Sequence, residues 1–246
     1  MTNEPAHIVA LSGGKDSTAL ALRMREVWPD LPVTYFCSPT GDELPEMVEH
    51  WAKLECLLDQ PIVRVTNGSL SSWSDHFDAL PNFRMRWCTR LLKIEPCLAF
   101  MAGQPEGSTM YVGLRADEAT REGVYSPSLI SRFPLREWGW GLRQVRGYLK
   151  ERGISIPKRT DCARCYGQRL SEWWDLWQDH PDLYADAEAQ ELRTGHTFRS
   201  SQRDTWPAGL KELREAFESG RSPRGARQVG LFSDDDLETG CRVCKL

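Results

Sequence analysis

The stretch "HIVALSGGKDSTALALRM", His7 to Met24, constrains this chain more than any other. "HIVAL" is short, β-branched and apolar, which reads as a buried strand. "STALALRMREVW" has helical spacing and opens on Ser17, a residue type favoured at helix N-termini. Two glycines, a lysine and an aspartate lie between them. Strand, glycine turn and helix in that order begin a βα unit, whose helix N-terminus can close backbone N–H groups around an anion. A tight turn without a ligand is the bland alternative. Against it, Ser12, Lys15, Asp16 and Ser17 put four polar side chains in one loop.

The pattern continues downstream. "VTYF" and "PIVRV" read as further strands with the helix "EMVEHWAKLECLL" between them, and "TMYVGL" as a fourth strand. "NGSLSSWSDHFDALPNF" reads as irregular. "CTRLLKIEPCLAFM" has helical spacing that Pro96 must bend or restart. Strands alternating with helices predict an α/β fold with a doubly wound, mostly parallel sheet. Ligands on such sheets bind beyond the carboxyl ends of the strands. The glycine loop, "PTGDE" and "RADEATR" all follow strands and fall on that edge. After about Ile156 no convincing strand follows, and short helices are expected. Trp173, Trp174 and Trp177 recur at helical spacing and are expected in a core, with base stacking as the alternative. The expected organisation is a nucleotide-binding domain over 1–155 and a helical, cysteine-bearing appendage over 156–246.

Composition narrows the function classes. With 40% hydrophobic residues and ten tryptophans, 246 residues can build a sizeable core. Every apolar run is too short to cross a membrane, and the polar start "MTNEPAH" is unlike a signal peptide, so a cytoplasmic protein without a membrane partner is expected. The net charge is −4, yet Pro81 to Leu170 carries 16 Lys and Arg against 8 Asp and Glu. That excess suits a phosphate-bearing ligand or a nucleic acid, or else a solvated face. Eight cysteines in such a compartment point to metal or thiol chemistry rather than disulfides. Cys37, Cys56 and Cys97 read as packed small hydrophobes. Cys162 and Cys165 form one C-x-x-C pair and Cys241 and Cys244 another, and two such pairs suit a tetrahedral structural Zn²⁺.

"SGGKDS" resembles the S-G-G-x-D-S motif of the PP-loop ATP pyrophosphatase superfamily. "PTGDELPEM", "RWCTRLLKIEP", "GLRADEATREG" and "FPLREWGWGLRQVRGYLKERGI" are similar, in matching order, to stretches of its phosphoadenosine-phosphosulfate reductase branch. The resemblance runs from about Ile8 to Cys165 and weakens after Gln168. It implies the adenine nucleotide α-hydrolase-like fold and cleavage of ATP between the α and β phosphates. The reductases of that branch have a degenerate glycine loop, whereas this chain keeps it intact. It thereby resembles the small subunit of ATP sulfurylase and the PP-loop protein of DNA phosphorothioation. Iron–sulfur reductases carry a Cys-Cys pair where this chain has Trp87-Cys88.

The resemblance implies roles. Ser12, Gly13, Gly14, Lys15 and Ser17 would hold the β and γ phosphates, with Asp16, Gly41, Asp42, Glu43, Lys93, Gly113 and Arg115 completing the ATP site. Asp16, or Asp42 and Glu43, would hold Mg²⁺. Lys15, Asp16, Arg90, Arg115 and Cys244 are the expected catalytic groups. Arg115 and Arg121 bracket Asp117 and Glu118, either as an anion clamp or as a local cluster of ion pairs. Cys88, Cys162 and Cys165 would take three corners of a [4Fe–4S] cluster, with Cys241 or Cys244 as the fourth ligand and the other as a tail thiol. The cluster is preferred to zinc because Cys88 has no role in the zinc arrangement. The expected activity is ATP-dependent sulfur chemistry that adenylylates an acceptor. Sulfonucleotide reduction and a non-catalytic ATP-binding subunit are the alternatives. Expected partners are an adenine nucleotide, a sulfur donor protein or sulfide, and an acceptor that the basic middle permits to be a nucleic acid. A homo-oligomer or a larger complex is expected.

Overall fold

The computed structural model describes residues 4–118, 120–121 and 129–224. Five strands form one parallel sheet: β1 (His7–Ala10), β2 (Val33–Cys37), β3 (Ile62–Arg64), β4 (Thr109–Tyr111) and β5 (Ile130–Arg132), in the order β3-β2-β1-β4-β5. Its register places Val9 beside Tyr35 and Tyr111, and Ile8 beside Thr34 and Met110. Side chains alternate across a strand. Val9, Tyr35, Cys37 and Tyr111 therefore join one core, with α1 (Lys15–Val27), α2 (Pro45–Leu58) and α7 (Leu142–Glu151). Ile8, Phe36 and Met110 join the other, against α5 (Glu95–Ala102). A sheet covered on both faces needs apolar residues at successive positions, which is why "HIVA" and "VTYFC" read as continuous apolar runs.

Chain order reverses on either side of β1, because β2 leaves to one side and β4 returns on the other. This switch opens a crevice at the carboxyl ends of β1 and β4. Two elements differ from expectation. The stretch taken as irregular contains α3 (Leu70–Phe77), started by a capping box in which Ser69 accepts from the Ser72 N–H and Ser72 returns a bond. β5 also went unforeseen, since an edge strand of three residues carrying Ser131 and Arg132 has almost no apolar pattern.

The helix before Pro96 is not uniform. A single turn, α4 (Trp87–Thr89), passes into a π-helical segment, Arg90–Ile94, and then into α5. The Glu95 N–H reaches back five residues to the Arg90 carbonyl. Proline has no N–H and crowds the preceding turn, and the wider turn accommodates it without ending the helix. The charged loop after β4 closes into a short 3₁₀ turn, Ala116–Glu118, and "FPLREWGWGLRQ" divides into α6 (Pro134–Glu137) and α7 at Gly139, where φ is +67°.

The C-terminal helices α8 (Leu170–Asp179), α9 (Pro181–Thr194) and α10 (Leu210–Glu218) build a third core around Trp173, Trp174, Tyr184 and Phe217. Leu44 and Leu80 from the sheet half complete it. The tryptophans thus pack as expected, with Trp177 against their edge. Among the described residues no helix is long and apolar enough to cross a membrane.

Candidate nucleotide and cysteine site

The crevice is walled by the loop after β1, the ends of β2 and β4, the helix leading into α5, and the segment around Thr160–Cys162. Gly14 is the N-cap of α1 and has no side-chain cap, so the first N–H groups of the helix have no side-chain acceptor. The Ser12 and Ser17 hydroxyls lie 3.1 Å apart, and the Ser17 hydroxyl donates to the Gly14 carbonyl at 3.1 Å. These bonds pin both ends of the loop. Gly13 holds φ +84°, and a Cβ there would lie 2.2 Å from Met47 Cε and 2.7 Å from Trp51 Nε1. The Trp51 indole in turn donates to the Ser12 carbonyl at 3.0 Å. At Gly113, just beyond β4, a Cβ would meet the α1 backbone at 3.0 Å. Both glycines exist for close approach, and together they fix the open helix end in the crevice.

Around this end the polar groups are ordered. Arg115 reaches back to Asp16 at 2.8 Å and also binds Asp117 at 2.9 Å, while Lys15 stands 3.4 Å from Asp16. Burial works against the Arg115 charge, but Asp16, Glu118 and Asp117 together more than offset it and hold its pKa above the ordinary value. The second Asp16 oxygen, Oδ1, is buried without a hydrogen-bond partner. An orphaned carboxylate oxygen beside an anion cradle fits a ligand for Mg²⁺. Glu43 lines the same crevice, with Oε1 accepting from the Thr40 N–H at 2.6 Å and the Thr40 hydroxyl at 2.7 Å. The remaining wall is apolar, formed by Phe36, Ile94, Leu98, Met110 and Leu129. Cys37 and Cys97 belong to it. Burial pushes their thiols up to about 12 and about 11, so both stay protonated and serve as small apolar groups. Cys56, by contrast, is exposed rather than packed.

Of the residues assigned to the nucleotide from sequence, Ser12, Gly14, Lys15, Asp16, Ser17, Glu43, Lys93 and Gly113 line the crevice, whereas Gly13 turns its open side to Met47 and Trp51. Four further positions lie elsewhere than expected. Arg90 does not line it, because the π-helical turn carries its side chain to Glu95, at 3.1 Å, with 63% exposure. Arg115 acts behind Asp16 rather than on the wall, whereas Arg121, bound to Glu118 at 2.6 Å, does line it. Gly41 shapes a turn at φ +71°, where a Cβ would lie 2.8 Å from Ser69 Cβ. Asp42 does not face the crevice: its carboxylate is buried against the Arg164 guanidinium and accepts from Arg164 Nε at 2.6 Å and the Arg164 N–H at 3.1 Å.

This last pair anchors the cysteine segment. The Asp42 carbonyl accepts from Ala163, and Glu43 and Cys162 form an antiparallel bridge. Buried Arg159 donates to the Cys162 carbonyl at 2.8 Å and to Asp161 at 3.0 Å. Cys162 thereby reaches the crevice, with Sγ 3.3 Å from the Thr40 hydroxyl. Behind it, Cys88, Cys162, Cys165 and Tyr166 share one small cluster. Among the described residues no group of three or more His, Cys, Asp or Glu is arranged to hold a metal ion. Cys241 and Cys244, the expected source of the fourth ligand, lie outside the described residues. Sequence reasoning missed Ser38, Thr160 and Asp161 as wall residues, which carry no local pattern, and missed the Asp42–Arg164 clasp, which joins positions 122 residues apart.

The family model for the phosphoadenosine phosphosulfate reductase domain matches residues 6–158. The chain belongs to that family. It is accordingly an enzyme of the PP-loop, sulfonucleotide type. Among solved structures, a phosphoadenylyl-sulfate (PAPS) reductase from Candida auris in a phosphate complex is similar with a TM-score of 0.52 and 18% identity, over 63% of this chain and 76% of that chain. At that identity the likeness shows the fold. No curated protein matches the chain. The family match ends where the cysteine segment begins, so the contacts of Cys162 and Arg164 are described from this chain alone.

Proposed function

We propose that this member of the phosphoadenosine phosphosulfate reductase family binds ATP in the crevice and cleaves it between the α and β phosphates to activate an acceptor for sulfur transfer. The observation that carries the reading is the intact "SGGKDS" loop, held as an uncapped helix N-terminus inside the crevice. Its N–H groups and the helix dipole favour a pyrophosphate tail. Lys15 adds a point charge for the departing group, and the apolar wall from Phe36 to Leu129 suits an adenine ring. An acceptor oxygen attacks the α phosphorus, the α–β bridging bond breaks, and pyrophosphate leaves. A sulfur nucleophile then displaces AMP from the acceptor. Arg115 orients Asp16, and Mg²⁺ held by Asp16 Oδ1 would neutralise charge on the phosphates.

A second reading, sulfonucleotide reduction, is favoured by one observation: Cys162 on the crevice wall, 3.3 Å from Thr40. The phosphate complex of the Candida auris reductase suits either reading, because both ligands bring phosphate to the loop. One experiment separates them. Purified protein is given Mg-ATP with a single-stranded oligonucleotide as candidate acceptor, or adenylyl sulfate with a dithiol, and pyrophosphate and sulfite are measured. Pyrophosphate from ATP without sulfite from adenylyl sulfate supports the first reading. Sulfite release with no binding of ATP overturns it. ATP binding without turnover of either nucleotide would indicate a non-catalytic subunit.

A further inference from the structure

Residues Phe83 to Arg86 form four successive exposed positions, Phe-Arg-Met-Arg, immediately before Trp87 and Cys88. Phe83 is 61% exposed and Met85 51%. Apolar side chains this open are ordinary when scattered singly, but here they sit together on a turn with a fixed shape. The Asn82 carboxamide oxygen accepts from the Arg84 and Met85 N–H groups, each at 2.9 Å, and the Asn82 N–H donates to the Met85 carbonyl at 3.1 Å. Asn82 thus locks the turn, so that presenting its side chains to a partner loses little chain entropy.

Two further observations define what suits it. The first is charge. From Phe83 to Lys93 the chain holds Arg84, Arg86, Arg90 and Lys93 and no acidic residue, in a protein whose net charge is −4. Arg203 adds a guanidinium 6.0 Å from the Phe83 ring centre. The second is support. Phe83 is braced from behind by Tyr166, whose ring meets it edge-on at 5.0 Å and which packs among the cysteines.

We propose that this turn docks a single-stranded nucleic acid, with a base stacked on Phe83 and its phosphates along Arg84 and Arg86. An aromatic face interleaved with arginines is the chemistry that holds unpaired bases without reading their sequence. An acidic protein would use the same charges but gives no reason for an exposed ring next to Arg84 in sequence and near Arg203 in space. The proposal deepens the acceptor half of the function above and rests on it, and its test is separate from ATP binding.

The test is fluorescence anisotropy of labelled single-stranded oligonucleotides with the full chain, over a range of salt. The expected result is salt-dependent binding that Phe83→Ala weakens about ten- to a hundredfold, as loss of one stacked base should. Phe83→Trp should retain binding, which also excludes misfolding as the cause. Arg84→Ala should lower the slope of log affinity against log salt by about one. ATP affinity in Phe83→Ala should match the parent, since Phe83 lies off the crevice. Binding unchanged in Phe83→Ala, equal binding of duplex, or equal competition by polyglutamate would each overturn the proposal. Oligonucleotide binding that persists in a protein found not to bind ATP would count against the proposed function and leave the dock standing.

Discussion

Gly13 and Gly14 are adjacent and identical, yet the structure gives them opposite tasks, and alanine at each should separate those tasks. At Gly13 the backbone sits at φ +84°, which costs an L-residue about 1–2 kcal/mol. The new Cβ would also lie 2.2 Å from Met47 Cε and 2.7 Å from Trp51 Nε1. The Met47 methyl can swing away, but the indole is held by its bond to the Ser12 carbonyl. Moving it breaks that bond and overpacks the site, for about 1–3 kcal/mol more. Gly13→Ala should therefore lose about 2–5 kcal/mol. At this chain length that lowers the unfolding midpoint by about 10 °C. At Gly14 φ is −69°, and a Cβ would meet only Thr160 Oγ1 at 3.6 Å and Ser12 Oγ at 3.7 Å. Gly14→Ala should stay within about 1 kcal/mol of the parent. Its methyl would nonetheless stand between two crevice-lining residues, in the path of the phosphates. Urea denaturation and ATP titration of both variants check this. Equal stability losses, or a Gly14→Ala protein with full ATP affinity, would refute the assigned geometry.

Two more predictions concern buried charged groups. Burial pushes the Glu191 carboxyl up to about 7, although it accepts from the Leu210 and Phe198 N–H groups at 2.7 and 2.8 Å. A carboxyl that binds its proton more tightly when folded adds stability below pH 4.5, and that stability is lost as pH rises through about 7. The total is about 3 kcal/mol. Urea denaturation at pH 5 and pH 8 should show a decline that Glu191→Gln flattens, and an undiminished slope in that variant would count against the assignment. Asp42→Asn leaves the Arg164 guanidinium buried without its counter-charge and should lose about 3–5 kcal/mol. A change below 1 kcal/mol in the same assay would mean that the pair is not the clasp between the two halves.

The strand–loop–helix start, the parallel sheet and the tryptophan core were legible because periodicity and glycine chemistry are local. β5 was not, because Ile130–Arg132 is short, polar and on an edge. α3 was hidden because its start depends on two serines rather than on an apolar stripe. Arg90 was misplaced for a sharper reason: an α-helical count puts it with Lys93, but the π-helical turn rotates the two apart. Asp42 looked like a metal ligand because an acid after a strand sits on the ligand edge. Its partner is an arginine 122 residues later, and no local pattern announces that pairing. The approach of Cys88 to Cys162 and Cys165 was expected only through the family resemblance, and contact among them depends on Arg159 and Arg164 folding their loop against the sheet.

The most direct test of the account is a calorimetric titration of Mg-ATP into the full chain and into the Lys15→Ala, Asp16→Ala double variant, both checked by circular dichroism. The account predicts one saturable site per chain in the parent and loss of that site in a variant that remains folded. Unchanged ATP affinity in the folded double variant would contradict it.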